Sequence, residues 1–426
     1  MDYLQLIAEK PPEKAALITE EHTYTYGELA ALARERRKTA GGVRRVYFIK
    51  KSAIAQQLIE FIAFAGTDNV PVLAPQEADT EHLKDIVPPP EACMGAMTSG
   101  TTGRAKVLFR TYESWAGFFE EQNRVFGVTP DSCMFAQGSL AFTGNLNLYM
   151  GALYAGASVA AAGKFRPRLW QEMILKHSCD VVYLIPTKLR LLARGCKTPL
   201  NCVKSIIAGS QGFDKNDLDT VKAVLPNAEM TLYYGASELN YITYIKDREM
   251  TGDRTLIGRP FKGVGVSVRD GEIYIDTKFH VAGVKCPATL GDCGSIDENG
   301  MLHFLGRRDD MYNINGIKVS GLKVESALLD CDGVEDAAAL AEKSGGKDLL
   351  TVFVVGRGLN KTGLLQKLHG KLTEHELPNA SLYGQTVSLS PPVALTTGTE
   401  PMRMAMSCDR PHGSDFDGMR YRSDAA

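Results

Sequence analysis

No C-x-x-C pair occurs in this sequence, although it holds nine cysteines, Cys93, Cys133, Cys179, Cys196, Cys202, Cys286, Cys293, Cys331 and Cys408. Their scatter and odd total argue against a disulfide framework and a cysteine zinc site. They predict reduced thiols in a cytoplasmic setting, most of them small core residues. No long run of one charge sign is present either: 48 Lys and Arg are dispersed among 50 Asp and Glu, so nucleic acid is not an expected partner. The opening MDYLQLIAEKPPEKAAL has no apolar stretch of the length an export signal needs. One uncharged stretch, residues 132–163, is long enough to cross a bilayer. It is broken by Gly138, Gly144, Gly151 and Gly156 and carries Gln137, Asn145 and Asn147, which suits a buried strand, loop and helix beside a ligand pocket rather than a membrane span.

What is present points to a folded protein of two unequal domains. The chain has 426 residues, 44% hydrophobic and 23% charged, too long for one small core and close to the average for globular chains. RVYFI (45–49), VVYLI (181–185), SIIAG (205–209) and TLYYG (231–235) read as strands, and residues 53–66 and 216–225 as helices between strands. That alternation predicts an α/β fold with mainly parallel sheets. After Gly258 the pattern changes to a β-rich part, with hairpin turns at Asp270-Gly271 and Asn299-Gly300. DAAALAE (336–342) and LLTVFVVG (349–356) then read as strands and GLLQKLHGKLTEHEL (363–377) as a helix, a small α+β domain. The expected division is 1–308, 309–390 and an irregular tail, 391–426, which has no period and many turn formers.

The sharpest local signal is TSGTTGRAK, Thr98 to Lys106, after the strand-like ACMGAM. Gly100 and Gly103 let the backbone turn amide N–H groups toward a phosphate, Ser99, Thr101 and Thr102 add hydroxyls, and Lys106 adds a cation. A polar hairpin loop is the competing reading. The P-loop pattern is excluded, since Val107 rather than Ser or Thr follows the lysine.

This segment resembles the phosphate-binding loop of the adenylate-forming superfamily, which includes acyl-CoA synthetases, peptide-synthetase adenylation domains and luciferases. YYGASE (233–238), GDCGSIDENGMLHFLGRRDD (291–310), TYTYGELAALA (23–33) and NGIKVSGLKVE (315–325) are similar to further family segments in the same order, so the likeness runs over roughly residues 1–390. The resemblance implies an ATP/AMP site of Thr98, Ser99, Gly100, Thr101, Thr102, Gly103, Lys106, Tyr234, Gly235, Ala236, Ser237, Asp292 and Arg307. Catalysis would fall to Glu238, Lys106 and Thr102. Tyr234 would stack on adenine, Ser237 would reach the α-phosphate, and Glu238 would hold Mg²⁺. Asp292 would accept both ribose hydroxyls and Arg307 would clamp ribose or phosphate oxygens. Asp309 stands at the family's hinge, about which the small C-terminal domain is mobile. Phe142, Thr143 and Gly209 fall at the acyl pocket.

Two departures qualify the resemblance. The family's C-terminal lysine, in a segment like P-x-T-x-x-G-K, has no counterpart in Val393–Met406, where Thr399 and Glu400 follow Gly398 and only Arg403 is cationic; no lysine occurs after Lys371. Loss of that cation is expected to cost on the order of 10² to 10³ in rate. A shifted reading frame or a degenerate C-terminus would also explain the irregular tail. The aspartate that pairs with an amino group in amino-acid-activating relatives is missing from SLAFTGN (139–145), which disfavours an amino acid and points to a fatty or aryl acid. Only 97 residues precede the loop, so a trimmed N-terminal subdomain is expected. The expected activity is ATP- and Mg²⁺-dependent formation of an acyl-adenylate with release of pyrophosphate, then transfer to CoA. The alternatives are loading of a carrier-protein phosphopantetheine and nucleotide binding with impaired catalysis.

Overall fold

Short runs of β-branched and aromatic residues, each long enough for one strand and too short for a helix, alternate with helices through the first half of the chain and pair side by side. A computed structural model of the protein describes residues 2–99, 105–209, 213, 215–251, 253–308, 311–314, 316–344, 347–356 and 358–378. The chain divides into two units, Met1–Met311 and Tyr312–Ala426.

In the first unit the strands Ser158–Ala162, Cys133–Gln137, Val181–Tyr183, Ser205–Gly209 and Glu229–Ala236 lie parallel in that spatial order. Helices Thr143–Ala155, Pro167–Lys176, Pro186–Gly195 and Lys215–Val224 join them. Strands buried on both faces read as unbroken apolar runs, and every residue of Ser205–Gly209 is buried. Past Glu229–Ala236 the sheet turns antiparallel through Asn240–Lys246, Leu256–Pro260, Leu302–Arg307, Asp292–Ile296, Glu272–Thr277 and Val264–Arg269, and Ala15–Ile18 with Thr23–Thr25 extend its other edge beyond Ser158–Ala162, making thirteen strands among the described residues. A second sheet sets Arg45–Ile49, Asn69–Leu73 and Ala92–Ser99 parallel, with Ala105–Thr111 antiparallel at its edge.

Residues 132–163 form strand Cys133–Gln137, helix Thr143–Ala155 and strand Ser158–Ala162. No helix among the described residues is long and apolar enough to cross a membrane. Eight of the nine cysteines are described, and all eight are free thiols. The Sγ atoms of Cys133 and Cys179 lie 3.4 Å apart.

Three local expectations are corrected. The strand expected over 181–185 ends at Tyr183, because Ile185 is already the cap of a helix that has Pro186 in its first turn. The turn at Asn299-Gly300 is part of a longer loop, in which the Asp297 carboxylate accepts the amides of Asn299 at 2.9 Å and Met301 at 2.8 Å. The helix expected over 363–377 is Lys361–Leu368 only, since His369 leaves it extended and Gly370 takes φ +95°.

The second unit packs helix Gly321–Leu329 and the antiparallel ribbon Val334–Ser344 with Lys347–Gly356 around Val319, Val324, Leu328, Leu350, Val352 and Leu368. In the first unit Phe126, fully buried, meets Tyr241 and Phe261 edge-on at centroid distances of 5.4 and 5.9 Å and lies 5.7 Å from Tyr233. Phe126→Ala would leave a cavity under the strand that carries Tyr233, and we expect a loss of about 3–5 kcal/mol, read as a shift of the urea midpoint at unchanged slope.

Candidate nucleotide and acid site

Successive side chains of a strand point to opposite faces, so the neighbours Tyr233 and Tyr234 serve different neighbourhoods. Tyr233 is the register partner of Gly209 on the parallel side. A Cβ on Gly209 would stand 2.5 Å from the Tyr233 ring, so only glycine lets the ring lie across that strand. The Tyr233 hydroxyl is 3.3 Å from that of Tyr183. Gly144 plays the same part toward Tyr183: its Cβ would fall 2.5 Å from the phenolic oxygen and 2.8 Å from the Phe142 ring. Phe142, the cap residue, and Thr143, the first residue of helix Thr143–Ala155, therefore come together with Gly144, Gly209 and the two tyrosines. Burial, then the neighbouring Tyr233, pushes the Tyr183 phenol well above its ordinary pKa and keeps it neutral. Behind the pair, Tyr241 lies 4.8 Å from the Tyr233 ring and extends the aromatic core.

On the other face, the Tyr234 hydroxyl donates to the Asp292 carboxylate, which is only 4% exposed. Asp292 and Arg307 are register partners in the hairpin of strands Asp292–Ile296 and Leu302–Arg307, and Arg307 Nε stands 3.5 Å from Asp292 Oδ1. The pair is not the fully exposed ion pair that such residues usually form, because the carboxylate is buried while the guanidinium reaches solvent. Burial, followed by the charge of Asp292, raises the Tyr234 pKa, so the phenol keeps the proton that it donates.

Ser237 and Glu238 sit at the tip of the next hairpin. Its last register pair is Ala236 with Asn240, Asn240 taking φ +65°, so Gly235 and Ala236 end one strand and the chain reverses through Ser237, Glu238 and Leu239. The Glu238 carbonyl accepts the Val281 amide at 2.9 Å. Lys106 is exposed on Ala105–Thr111, opposite Thr98, and Ser99 pairs with Ala105. Gly100, Thr101, Thr102 and Gly103 lie outside the described residues, as do Asp309, Thr399, Glu400 and Arg403.

Among the described residues, neither the Lys106 ammonium nor the Glu238 carboxylate makes a hydrogen bond or ion pair. No group of three or more His, Cys, Asp or Glu that could hold a metal occurs among them. A lone carboxylate fits Mg²⁺, which keeps several waters and takes one or two carboxylates together with substrate phosphates. Sequence reading singled out neither Tyr183 nor Tyr233, because each lies within a run that reads as plain strand core.

Two sheets of this kind, with an acidic hairpin tip following strand Glu229–Ala236, are those of an adenylate-forming enzyme. The family described as AMP-binding enzyme matches residues 49–281, more than half of the chain, and the chain belongs to it. An uncharacterised acyl-CoA ligase of Bacillus subtilis, YhfT, is 26% identical over 328 residues, 73% of this chain and 68% of its own length. The L-proline–[L-prolyl-carrier protein] ligase of Streptomyces coelicolor is 27% identical over 309 residues, 63% of this chain and 57% of its own length. Among solved structures, the O-succinylbenzoate coenzyme A synthetase of Bacillus subtilis, in complex with ATP and magnesium ion, superposes with a TM-score of 0.75 at 17% identity, covering 89% of this chain and 94% of that one. At that identity the likeness is one of fold.

Tyr234→Phe removes the donor to a buried carboxylate, a charge-assisted hydrogen bond of about 1.5–3 kcal/mol. Denaturant unfolding without nucleotide is expected to show that loss, and Tyr233→Phe, whose hydroxyl lies 3.3 Å from the neutral Tyr183 phenol rather than on a carboxylate, a smaller one.

Proposed function

We propose that the protein activates a carboxylic acid with ATP, releasing pyrophosphate, and transfers the acyl group to the thiol of CoA. The observation that carries this reading is the division of labour on strand Glu229–Ala236: Tyr233 faces the Gly209 and Phe142 neighbourhood, Tyr234 faces Asp292 and Arg307, and Ser237 and Glu238 follow at the tip. An acid on one side and a nucleotide on the other would meet at that tip.

In the first step a carboxylate oxygen attacks the α-phosphorus and the bond to pyrophosphate breaks. In the second, the thiolate sulfur attacks the acyl carbonyl carbon, AMP leaves, and a thioester forms. Charge gathers on phosphoryl oxygens in the first step, and the groups suited to meet it are Lys106, the loop around Gly100 and Gly103, Thr102 and Ser237. Asp292 would hold the ribose hydroxyls, Tyr234 would lie against adenine, and Arg307 would bind ribose or phosphate oxygens. Mg²⁺ at Glu238 supplies charge neutralisation when bound. Residues 393–406 hold no lysine at the place of the family's C-terminal cation, and a rate below that of relatives that have one is expected. Asp309 is the proposed hinge between the half-reactions.

The acid we infer is short or aromatic. Phe142, Thr143, Gly144, Gly209, Tyr183 and Tyr233 include no carboxylate to pair with an ammonium, which disfavours an amino acid. A long hydrocarbon tail would have to pass Tyr183 and Tyr233, which are 2% and 8% exposed and backed by Phe126, Tyr241 and Phe261. Loading of a carrier-protein phosphopantetheine is the second reading, favoured by the carrier-loading relative. A phosphopantetheine protein accepting acyl groups when free CoA does not would select it.

The test is acid-dependent exchange of labelled pyrophosphate into ATP, across short-chain, long-chain, aryl and amino acids. We expect exchange with short-chain or aryl acids, and a fall of about 10²–10³ or more in Glu238→Ala. ATP binding without exchange by any acid would overturn the reading in favour of a nucleotide-binding protein.

A further inference from the structure

Arg110 is the only arginine among the largest fully buried side chains of the described residues. Taking a guanidinium out of water costs several kcal/mol, and a buried charge is usually paired with a carboxylate. Arg110 makes no such pair. Its Nη1 donates to the carbonyls of Phe279 at 2.9 Å and Ser114 at 3.2 Å, its Nη2 donates to the carbonyl of Ser237 at 2.7 Å, and its Nε has no partner. Burial pulls its pKa down to about 10, with Cys93 and Glu238 acting in the opposite sense, so it stays charged at neutral pH.

The location supplies the reason for that cost. Ala105–Thr111 runs in regular register against Ala92–Ser99 from Ser99–Ala105 to Met94–Arg110, so Lys106, Leu108 and Arg110 share one face. Exposure falls along that face, from an exposed Lys106 to an Arg110 that is 2% exposed. The next strand-end contacts run to the same places: Ala282 donates its amide to the Phe109 carbonyl at 2.8 Å, and Val281 donates to that of Glu238 at 2.9 Å. Three segments distant in sequence therefore meet at one cation: the strand leaving the phosphate loop, the Ser237–Glu238 tip, and residues 277–282. The two sheets that carry them share no strand.

We propose that Arg110 is a positioning residue for Mg²⁺ and ATP: its grip on the Ser237 carbonyl fixes the tip bearing Ser237 and Glu238 relative to the strand bearing Lys106. The inference rests on the reading that Glu238 holds Mg²⁺. Its fork is what the position requires. A guanidinium presents donors in several directions at once, whereas an ammonium is a single point on a flexible stem.

The experiment compares Arg110→Gln and Arg110→Lys with the unaltered protein in thermal stability, in Mg²⁺·ATP binding by calorimetry, and in pyrophosphate exchange titrated separately with Mg²⁺, ATP and acid. We expect Arg110→Gln to raise the half-saturating Mg²⁺ and the KM for ATP by about 10- to 100-fold, the equivalent of one charge-assisted hydrogen bond. The KM for the acid should change little, and Arg110→Lys should fall between. A purely structural role would lower the melting temperature and the amount of active enzyme while leaving both half-saturation values of the surviving enzyme unchanged, and that result overturns the proposal. If Arg110→Gln does not fold, Arg110→Lys decides by the same readout. If the unaltered protein exchanges with no acid, the activity reading fails, and the calorimetric Mg²⁺·ATP affinities still decide the role of Arg110.

Discussion

Strand Glu229–Ala236 has a parallel partner on one edge and an antiparallel partner on the other, and the rest of the site depends on that pairing. Its parallel register with Ser205–Gly209 sets Tyr233 against a glycine, which is why an aromatic ring can lie flat across the sheet there. Its antiparallel register with Asn240–Lys246 forces a short reversal, and the reversal carries Ser237 and Glu238. A shift of one residue in either pairing would exchange the faces of Tyr233 and Tyr234. The hydroxyl now held by Asp292 would point toward Gly209, and the proposed acid and nucleotide sides would lose their separate linings. The buried aromatic packing of Phe126, Tyr233, Tyr241 and Phe261 fixes the register, since a slipped strand would move these rings out of the core.

Electrostatics follow from the same arrangement. Negative groups are distributed between a buried, partnered carboxylate, Asp292, and an accessible one, Glu238, which makes no hydrogen bond or ion pair among the described residues. The partnered carboxylate suits recognition of neutral hydroxyls, since Tyr234 already shows that it accepts from one. The accessible one suits a hydrated divalent cation. Positive charge is likewise divided between the exposed Lys106, the exposed Arg307 and the buried Arg110.

Much of this was legible in the sequence where chemistry demands contiguous residues. A phosphate loop needs its glycines, hydroxyls and lysine close together, so TSGTTGRAK stood out as a candidate, whose glycines lie outside the described residues; the hairpin that brings Asp292 opposite Arg307 was legible in the flanking alternation, although its connection is longer than the two-residue turn expected at Asn299-Gly300. Parallel strands such as Ser205–Gly209 were legible because both faces are buried. Arg110 was not, because its strand position reads as an ordinary surface arginine, and only the carbonyls of Ser237 and Phe279, brought from far along the chain, make it an interior one. Tyr183 and Tyr233 were missed for a related reason: aromatic residues in a strand read as core, and their proximity to Gly144 and Gly209 is a product of tertiary packing. The second half of the helix expected near the end of the second unit failed because Gly370, in the left-handed region, ends helical geometry despite the apolar spacing beyond it.

The central claim is that the Tyr183–Tyr233 side and the Tyr234–Asp292 side form two halves of one site that meets at the Ser237–Glu238 tip. It is tested most directly by calorimetry with a stable acyl-adenylate analogue, in which a sulfamate replaces the acyl phosphate, carrying an acid that supports exchange. If the halves are contiguous, the analogue binds at least about 10³-fold more tightly than AMP or the free acid, since linking two bound groups makes the second binding event intramolecular. An analogue that binds no more tightly than AMP would contradict the account.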